Sequence, residues 1–342
     1  MQRSVFSLFC SEWFGISIST LALAQLYILL SQEFHLEFLG LIAEFLSISG
    51  ISIFLLVLVL WISRSITLRD GTFSHWNNMT RLSFTALIPI IGFVGNYQLI
   101  YFFGLSGTTA YFSTVNFYAE YVLALGLGVT LGYRLYTKEI DPKEISYAIV
   151  IPPLAIGTGV FLAGTLMKYY GGVEEQAMYF LVLMGLGIFF FLFVFIGSLA
   201  LAGHVSTKVH ETMPTTMLPV GIASLIIINL FSLSGFGKVD ELFIGLQSVE
   251  WVSVLLWGFE VWNFLVVMIL MLTRPVKGTL GAWAYGFPLG LFATSTVRIL
   301  AVTHFTPLLW VFVAIAVIFN ILWVYAWINT GIFIRRSISP LR

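Results

Sequence analysis

The sequence predicts an all-α membrane protein with ten transmembrane helices, and three observations lead to that prediction. Hydrophobic residues make up 59% of the 342 residues and charged residues only 9%, whereas about a quarter of the residues in a soluble domain are charged. The chain also contains ten apolar runs near the ~20 residues that a helix needs to cross a bilayer. Prolines recur at a steady spacing in alternate runs. We therefore expect residues 1–342 to form one transmembrane domain without a soluble domain.

The ten apolar runs, taken between polar breaks, define the predicted spans. They cover residues 5–31, 38–63, 82–104, 109–134, 145–167, 177–203, 214–233, 246–272, 280–303 and 307–334. Of the sixteen Lys and Arg residues, only Lys168, Lys238 and Arg298 fall on one side of this layout, and all the others fall on the opposite side. Because cytoplasmic loops are enriched in basic residues, both termini are predicted to be cytoplasmic in a multi-pass plasma-membrane protein.

Prolines distinguish the odd-numbered spans from the even-numbered ones. Spans three, five, seven and nine contain Pro89, Pro153, Pro219 and Pro288, with spacings of 64, 66 and 69 residues. An interior proline removes a backbone donor and kinks its helix, and in lipid the freed carbonyl needs a partner or a wet cavity. The sequence thus predicts five parallel helical hairpins around a central pore, with the odd helices inner and kinked. The competing interpretation is that these prolines share a spacing by coincidence.

One stretch of span nine carries a resemblance to a known family. Trp283–Gly290 (WAYGFPLG) resembles the ninth-helix signature of the tellurite-resistance/dicarboxylate transporter family, which includes plant slow anion channels and fungal malic acid transporters. Weaker similarity lies in Trp13–Gly15, Met217–Gly221 and Leu256–Trp262. The resemblance implies a homotrimer in which each protomer passes small anions through its own five-hairpin pore. It also implies that a phenylalanine of helix nine closes this pore, and Phe287 occupies that position.

Helical geometry places further residues of span nine beside Phe287. At about 100° per residue, Phe287, Thr294 and Arg298 share one stripe, and Leu291 lies next to it. A ring at mid-helix followed by a hydroxyl and a cation suits an anion path. The predicted path comprises Pro288, Leu291, Thr294 and Arg298 of span nine, and Phe14, Gly15, Pro89, Pro153 and Pro219 of the other odd spans. The alternatives are that Phe287 only packs and that Arg298 reaches into the headgroups.

Four carboxylates fall within predicted spans and bear on coupling to protons: Glu12, Glu44, Glu120 and Glu260. A carboxyl group in a low-dielectric environment holds a proton more readily than one in water. Glu12 comes three positions before Gly15 on a predicted pore helix, which makes it the first candidate for proton coupling. Glu120 and Glu260 are the further candidates, although their even-numbered helices also suit helix pairing or subunit contact.

Other motifs give no sign of chemistry or of a cofactor. A single cysteine excludes a disulfide framework within the chain, and no phosphate-binding loop supports ATP-driven transport. We expect no metal, cofactor or nucleic-acid partner, and an intramembrane enzyme is the weakest hypothesis. The leading hypothesis is a secondary transporter for C4-dicarboxylates of the malate type, coupled to protons. The alternative is a passive channel for chloride, nitrate or sulfite, gated by Phe287.

Overall fold

The computed structural model of the protein describes residues 9–67, 78–138, 145–207, 213–235 and 246–338. Every regular element within these ranges is a helix or a 3-10 turn. Ten helical spans are long and apolar enough to cross a membrane: Ser11–Phe34, Glu37–Thr67, Met79–Phe103, Gly107–Thr137, Tyr147–Tyr169, Val173–His204, Met213–Ser234, Gln247–Thr273, Leu280–Thr303 and Pro307–Ser337. The prediction of an all-helical, ten-span membrane protein is confirmed. Six of the basic residues used for its orientation lie outside the described residues: Arg3, Arg69, Lys143, Lys208, Lys238 and Arg342.

Burial separates the odd-numbered spans from the even-numbered ones. The apolar windows of the odd spans are 56–83% buried, whereas those of the even spans are only 17–33% buried. The even spans carry large exposed apolar side chains, such as Phe45, Phe195, Trp251 and Trp310. Lipid tails are as apolar as these side chains, so their exposure suits a surface in contact with lipid. The odd spans therefore form an inner layer and the even spans an outer layer.

The inner layer is a closed ring of five helices. Each odd span packs against the next odd span along the chain, and span nine packs against span one. The first turns of the odd spans touch in the same cyclic order, so all five begin at one end of the bundle and run in one direction. We call this end the basic end, after Arg64, Arg81, Arg134, Arg274 and Arg335, and we call the opposite end the far end. Each even span packs between the two odd spans that flank it in the ring.

Each odd span changes its helical form near its beginning. Spans one, seven and nine open with the 3-10 turns Ser11–Trp13, Met213–Met217 and Leu280–Tyr285 before the α-helix starts. Span three breaks after Thr85, and span five opens with a 3-10 turn and breaks at Thr158. The repeated prolines fall in the first turn of an α-helix, where a missing N–H loses no helical hydrogen bond: Pro89, Pro153, Pro219 and Pro288. The predicted kinks are thus helix starts, and span one makes the same change without a proline.

Polar side chains of the inner helices bind backbone carbonyls of neighbouring spans. Such bonds run from Ser17 to Gly50 (2.8 Å), from Ser19 to Trp283 (2.7 Å), from Gln98 to Leu21 (2.8 Å) and from Asn229 to Gly157 (3.1 Å). The carbonyl of Gly157 lies beside the break at Thr158. In a regular α-helix it would accept a hydrogen bond from the N–H of Phe161, but that N–H donates to the Thr158 carbonyl. A carbonyl inside a bilayer has no bulk water to bond, so the amide of Asn229 stabilises this break.

Candidate functional site

The signature stretch of span nine begins with a tryptophan that fixes the helix start. Trp283 is buried, and its indole Nε1 donates to the Thr330 hydroxyl of span ten at 2.8 Å. Its ring lies edge-on to the rings of Trp323 and Trp327, at centroid distances of 6.4 and 5.2 Å. Span ten therefore holds the beginning of span nine in place.

Span nine approaches spans one and seven closely because glycines stand at the crossing points. A Cβ atom at Gly286 would lie 2.5 Å from the Cβ of Ser19 in span one. A Cβ atom at Gly221 of span seven would lie 2.8 Å from the Cα of Pro288. Carbon atoms in contact are normally about 3.5–4.0 Å apart, so no side chain fits at either crossing.

Phe287 lies between these two crossings. It is the second residue of the helix Gly286–Thr303, and only 5% of its surface is exposed. Leu291, one turn further along, is also buried and would contact a Cβ atom at Gly221 at 3.3 Å. These two apolar residues lie in the section of span nine that packs closely against spans one and seven.

A polar cavity, which we call the vestibule, opens toward the far end of the inner ring. Its volume is about 440 Å³, and all five odd spans contribute to its walls. Its polar lining residues are Gln25, Gln32, Tyr97, Thr165, Lys168, Ser232, Thr294 and Arg298. None of the described residues that line it is acidic. Lys168 and Arg298 therefore give the vestibule a positive charge.

Span nine connects the vestibule to Phe287. With a rise of 1.5 Å per residue, Thr294 lies roughly 10 Å and Arg298 roughly 16 Å beyond Phe287 along the helix axis. Thr294 and Arg298 line the vestibule together, as their shared stripe predicts. Phe287 and Leu291 are buried and lie nearer the basic end. Along span nine, an open polar section thus gives way to a closed apolar one.

Six polar vestibule residues escaped the sequence patterns: Gln25, Gln32, Tyr97, Thr165, Lys168 and Ser232. Gln25 is buried in span one and its Oε1 has no hydrogen-bond partner, while Tyr97 belongs to span three and Lys168 to span five. The sequence marked Lys168 only as one of the few basic residues on its side of the layout. A usable signal was position, because all six lie in the second half of an odd span, as Arg298 does.

Other predicted path residues lie away from the vestibule. Phe14 packs against the rings of Phe54 and Trp61 in span two, at centroid distances of 5.9 Å. Gly15 makes room for Trp283, since a Cβ atom at this glycine would lie 2.9 Å from the Cβ of the tryptophan. The buried prolines start helices nearer the basic end: Pro89, Pro153, Pro219 and Pro288. These residues shape the inner ring instead of lining the vestibule.

The three carboxylates considered for proton coupling occupy different places. Glu12 lies in the opening turn Ser11–Trp13 at the basic end, within electrostatic range of Arg64. Glu120 is half-buried on span four, where its carboxyl group covers Gly92. Glu260 is completely buried near the middle of span eight, and it accepts a hydrogen bond of 2.9 Å from a serine of span nine. Glu260 therefore bonds directly to the helix that carries Phe287.

Two further features concern metal ligands and the single cysteine, Cys10, which does not line the vestibule. The described ranges contain no group of three His, Cys, Asp or Glu residues that could hold a metal ion. Cys10 is a free thiol, and burial, with a smaller contribution from the nearby Glu12, raises the pKa of this thiol. The reactive thiolate is consequently scarce near neutral pH.

Comparison with known proteins identifies the family of this chain. The family described as SLAC1, voltage-dependent anion channel, matches residues 9–331, which is nearly the whole chain. The chain is also 22% identical over 307 residues to an uncharacterized transporter of Methanocaldococcus jannaschii, with 86% of each chain covered. The family resemblance predicted from helix nine is confirmed, and members of this family move anions as channels or transporters. The chain belongs to the voltage-dependent anion channel family.

Proposed function

We propose that this protein carries small anions across the membrane along the axis of the inner ring, with Phe287 as the closure. The observation that carries the proposal is the vestibule, whose described lining includes two basic side chains and no acidic one. All five inner spans build it, and span nine leads from it to Phe287.

Charge explains how the vestibule would favour anions. A cleft lined by charge of one sign concentrates ions of the opposite sign. Lys168 and Arg298 are both exposed, so they attract an anion without first losing their own water. The amide groups of Gln25 and Gln32 add N–H donors, which can replace part of the hydration shell of the ion. A cation meets the opposite potential and is repelled.

Hydration explains how Phe287 would close the path. Moving a polar or charged group from water into an apolar passage without new hydrogen bonds costs several kcal/mol. The ring of Phe287, with Leu291 beyond it, offers an anion no such bonds. Turning a ring toward another rotamer costs on the order of 1 kcal/mol, which a membrane voltage or a bound anion can supply. If Phe287 only packed, removing its ring would destabilise the fold without opening a leak.

For the mode of transport we propose a secondary transporter of C4-dicarboxylates of the malate type, coupled to protons. The buried carboxyl group of Glu260 beside span nine supports this mode, and Glu12 and Glu120 are the other candidates for coupling. A passive channel for chloride, nitrate or sulfite is the second candidate. The apolar section at Phe287 favours the channel, because it offers no fixed polar group to bind a substrate.

We further propose a homotrimer in the plasma membrane, with both termini in the cytoplasm. The basic end would face the cytoplasm, since cytoplasmic loops are enriched in Lys and Arg. The family resemblance supports the trimer, in which each protomer keeps its own path. The exposed apolar side chains of the even spans would then contact lipid or a neighbouring protomer.

Flux measurements in proteoliposomes test these proposals. The uptake of chloride, nitrate, sulfite and malate is compared in vesicles with and without a pH gradient, against vesicles that contain no protein. Malate uptake that accelerates under an inward proton gradient supports the transporter. Chloride or nitrate currents that ignore the gradient support the channel. Absence of flux for all four anions, in both the wild type and the Phe287→Ala variant, would contradict anion transport itself.

A further inference from the structure

A buried carboxyl group lies directly behind the helix that carries Phe287. Glu260 is 0% exposed and lies near the middle of span eight. Its Oε2 accepts a hydrogen bond from the Ser295 hydroxyl of span nine at 2.9 Å, and its Oε1 has no hydrogen-bond partner. Acidic residues inside transmembrane helices are costly to bury and are functional candidates for that reason.

Two serines beside Glu260 each have a second acceptor. The Ser295 hydroxyl can donate to the carboxyl group at 2.9 Å or to the Phe292 carbonyl of its own helix at 3.0 Å. The Ser224 hydroxyl of span seven lies within reach of the same carboxyl group and donates to the Val220 carbonyl at 2.8 Å. A hydroxyl has one proton to donate. Each serine therefore bonds either its own helix or Glu260.

No other charge faces Glu260 from the spans that pack against it. Span seven presents Ser224 and contains no charged residue along its described length, Met213–Ser234. Span nine presents Ser295, and its single charged residue, Arg298, lines the vestibule. On span eight itself, the other acid is Glu250, ten positions nearer the far end. The bonding of Glu260 is thus set by its own proton and by the two serines.

The two serines lie beyond the crossing at which spans seven and nine touch, on the side of the far end. Ser224 lies about one turn beyond Gly221, at which a Cβ atom would come within 2.8 Å of the Cα of Pro288. Ser295 lies about two turns beyond Pro288 on the same helix. A helix moves as a packed element with few alternative positions. A shift of either serine is therefore passed to the crossing beside Phe287.

We propose that Glu260 is a protonatable positioning residue that sets the closure at Phe287, an inference that rests on the proposed anion path. An ionised carboxylate only accepts hydrogen bonds, so Ser295 keeps its bond to Oε2 while Ser224 turns from the Val220 carbonyl to the carboxylate and draws span seven outward, toward span eight. A protonated carboxyl group donates its O–H to a serine oxygen, the serine hydroxyls return to the Val220 and Phe292 carbonyls, and the ring tightens around Phe287. One proton is bound or released in each switch, so anion flux at equal pH on both sides rises with pH, and the coupling proton of the proposed transporter falls to Glu12 or Glu120.

The dependence of chloride flux on pH tests this inference. Chloride uptake into proteoliposomes is measured between about pH 5 and pH 8, with the same pH on both sides. Wild-type flux should rise with pH by at most about tenfold per pH unit, the limit for a single proton. Glu260→Gln keeps the size of the side chain but cannot ionise, so its flux should stay at the low-pH level throughout. Glu44→Gln removes a half-buried acid on span two and should keep the wild-type profile.

A second variant separates the switch from a loss of packing. Replacing both serines with alanine, Ser224→Ala and Ser295→Ala, keeps Glu260 but removes the hydroxyls, so the pH profile should flatten. A wild-type flux that does not change with pH overturns the inference. An unchanged pH profile in Glu260→Gln overturns it as well, and the paired serine variant decides the matter where Glu260→Gln does not fold. Failure of the proposed function is distinguishable, because Phe287→Ala would then pass no anion at any pH.

Discussion

Removing the ring of Phe287 separates the two roles proposed for this residue. Phe287 is the second residue of its helix, and it lies between the crossings of span nine with spans one and seven. The vestibule ends about 10 Å further along the helix, at Thr294. Phe287→Ala should therefore widen the closed apolar section between the basic end and the vestibule.

The expected change in flux follows from the barrier that the ring imposes. Desolvation of an anion in an apolar constriction adds about 3 kcal/mol to the barrier for its passage. Each 1.36 kcal/mol removed from a barrier raises the rate tenfold. Removal of the ring should therefore raise the flux roughly 100-fold. Truncation of a buried phenylalanine also costs about 3–5 kcal/mol of stability. Because Phe287 is only 5% exposed, its truncation should fall in this range under either role, and the flux decides between the two roles.

Phe292→Ala is the matched control, because the chain offers the same side chain five positions later. Phe292 is buried and packs against the rings of Trp257 and Phe264 of span eight, at centroid distances of 6.4 and 5.5 Å. Chloride flux and the thermal unfolding of purified protein are measured for both variants. We expect Phe292→Ala to lose stability without a leak and Phe287→Ala to leak. Folded Phe287→Ala with wild-type flux, or equal leaks in both variants, would refute the gate.

The remaining predictions concern the vestibule, the helix crossing and the orientation. Arg298→Gln and Lys168→Gln should each lower the initial flux at low anion concentration, because a positive charge is lost. The loss should be only about 2–5-fold, since exposed charges are partly screened. An unchanged dependence of flux on anion concentration would show that the vestibule is not part of the path. Gly221→Ala should lower the free energy of unfolding by about 1–3 kcal/mol, measured by thermal unfolding, because its Cβ meets backbone. Gly126→Ala, whose Cβ would have no atom within 4 Å, should be neutral. Equal effects of the two variants would contradict the crossing. An impermeant thiol reagent should label Gly171→Cys in intact cells, with little background from the native thiol, which is half-buried and lies at the basic end. A lack of labelling would place the far end inside the cell.

Helix number and helix type were predictable because both depend on neighbouring residues. The length of an apolar run decides whether a helix can cross a bilayer, and ten such runs are visible without any tertiary contact. Prolines also act on their own segment, so Pro89, Pro153, Pro219 and Pro288 mark the odd spans correctly as the irregular ones. Their local effect differed from the prediction: they stand in first turns, where a helix tolerates proline, because each span changes its form just before them.

The contents of the site were less predictable, because they depend on which helix faces meet. The stripe on span nine placed Thr294 and Arg298 together, but periodicity could not show that Phe287 and Leu291 lie buried below them. That burial depends on Gly221 of span seven and on the close contacts that the glycines of span nine make with span one.

By itself, the sequence determined ten apolar helices, their division into two alternating kinds and the residues on each stripe, since these are local properties of the chain. Only the tertiary structure decided that Lys168 shares a cavity with Arg298 and that Glu260 meets Ser295. Such meetings join residues that are far apart in the chain, as Ser19 and Trp283 are at 264 positions. They arise when the five inner helices close into a ring, because the ring brings side chains from different spans within bonding distance.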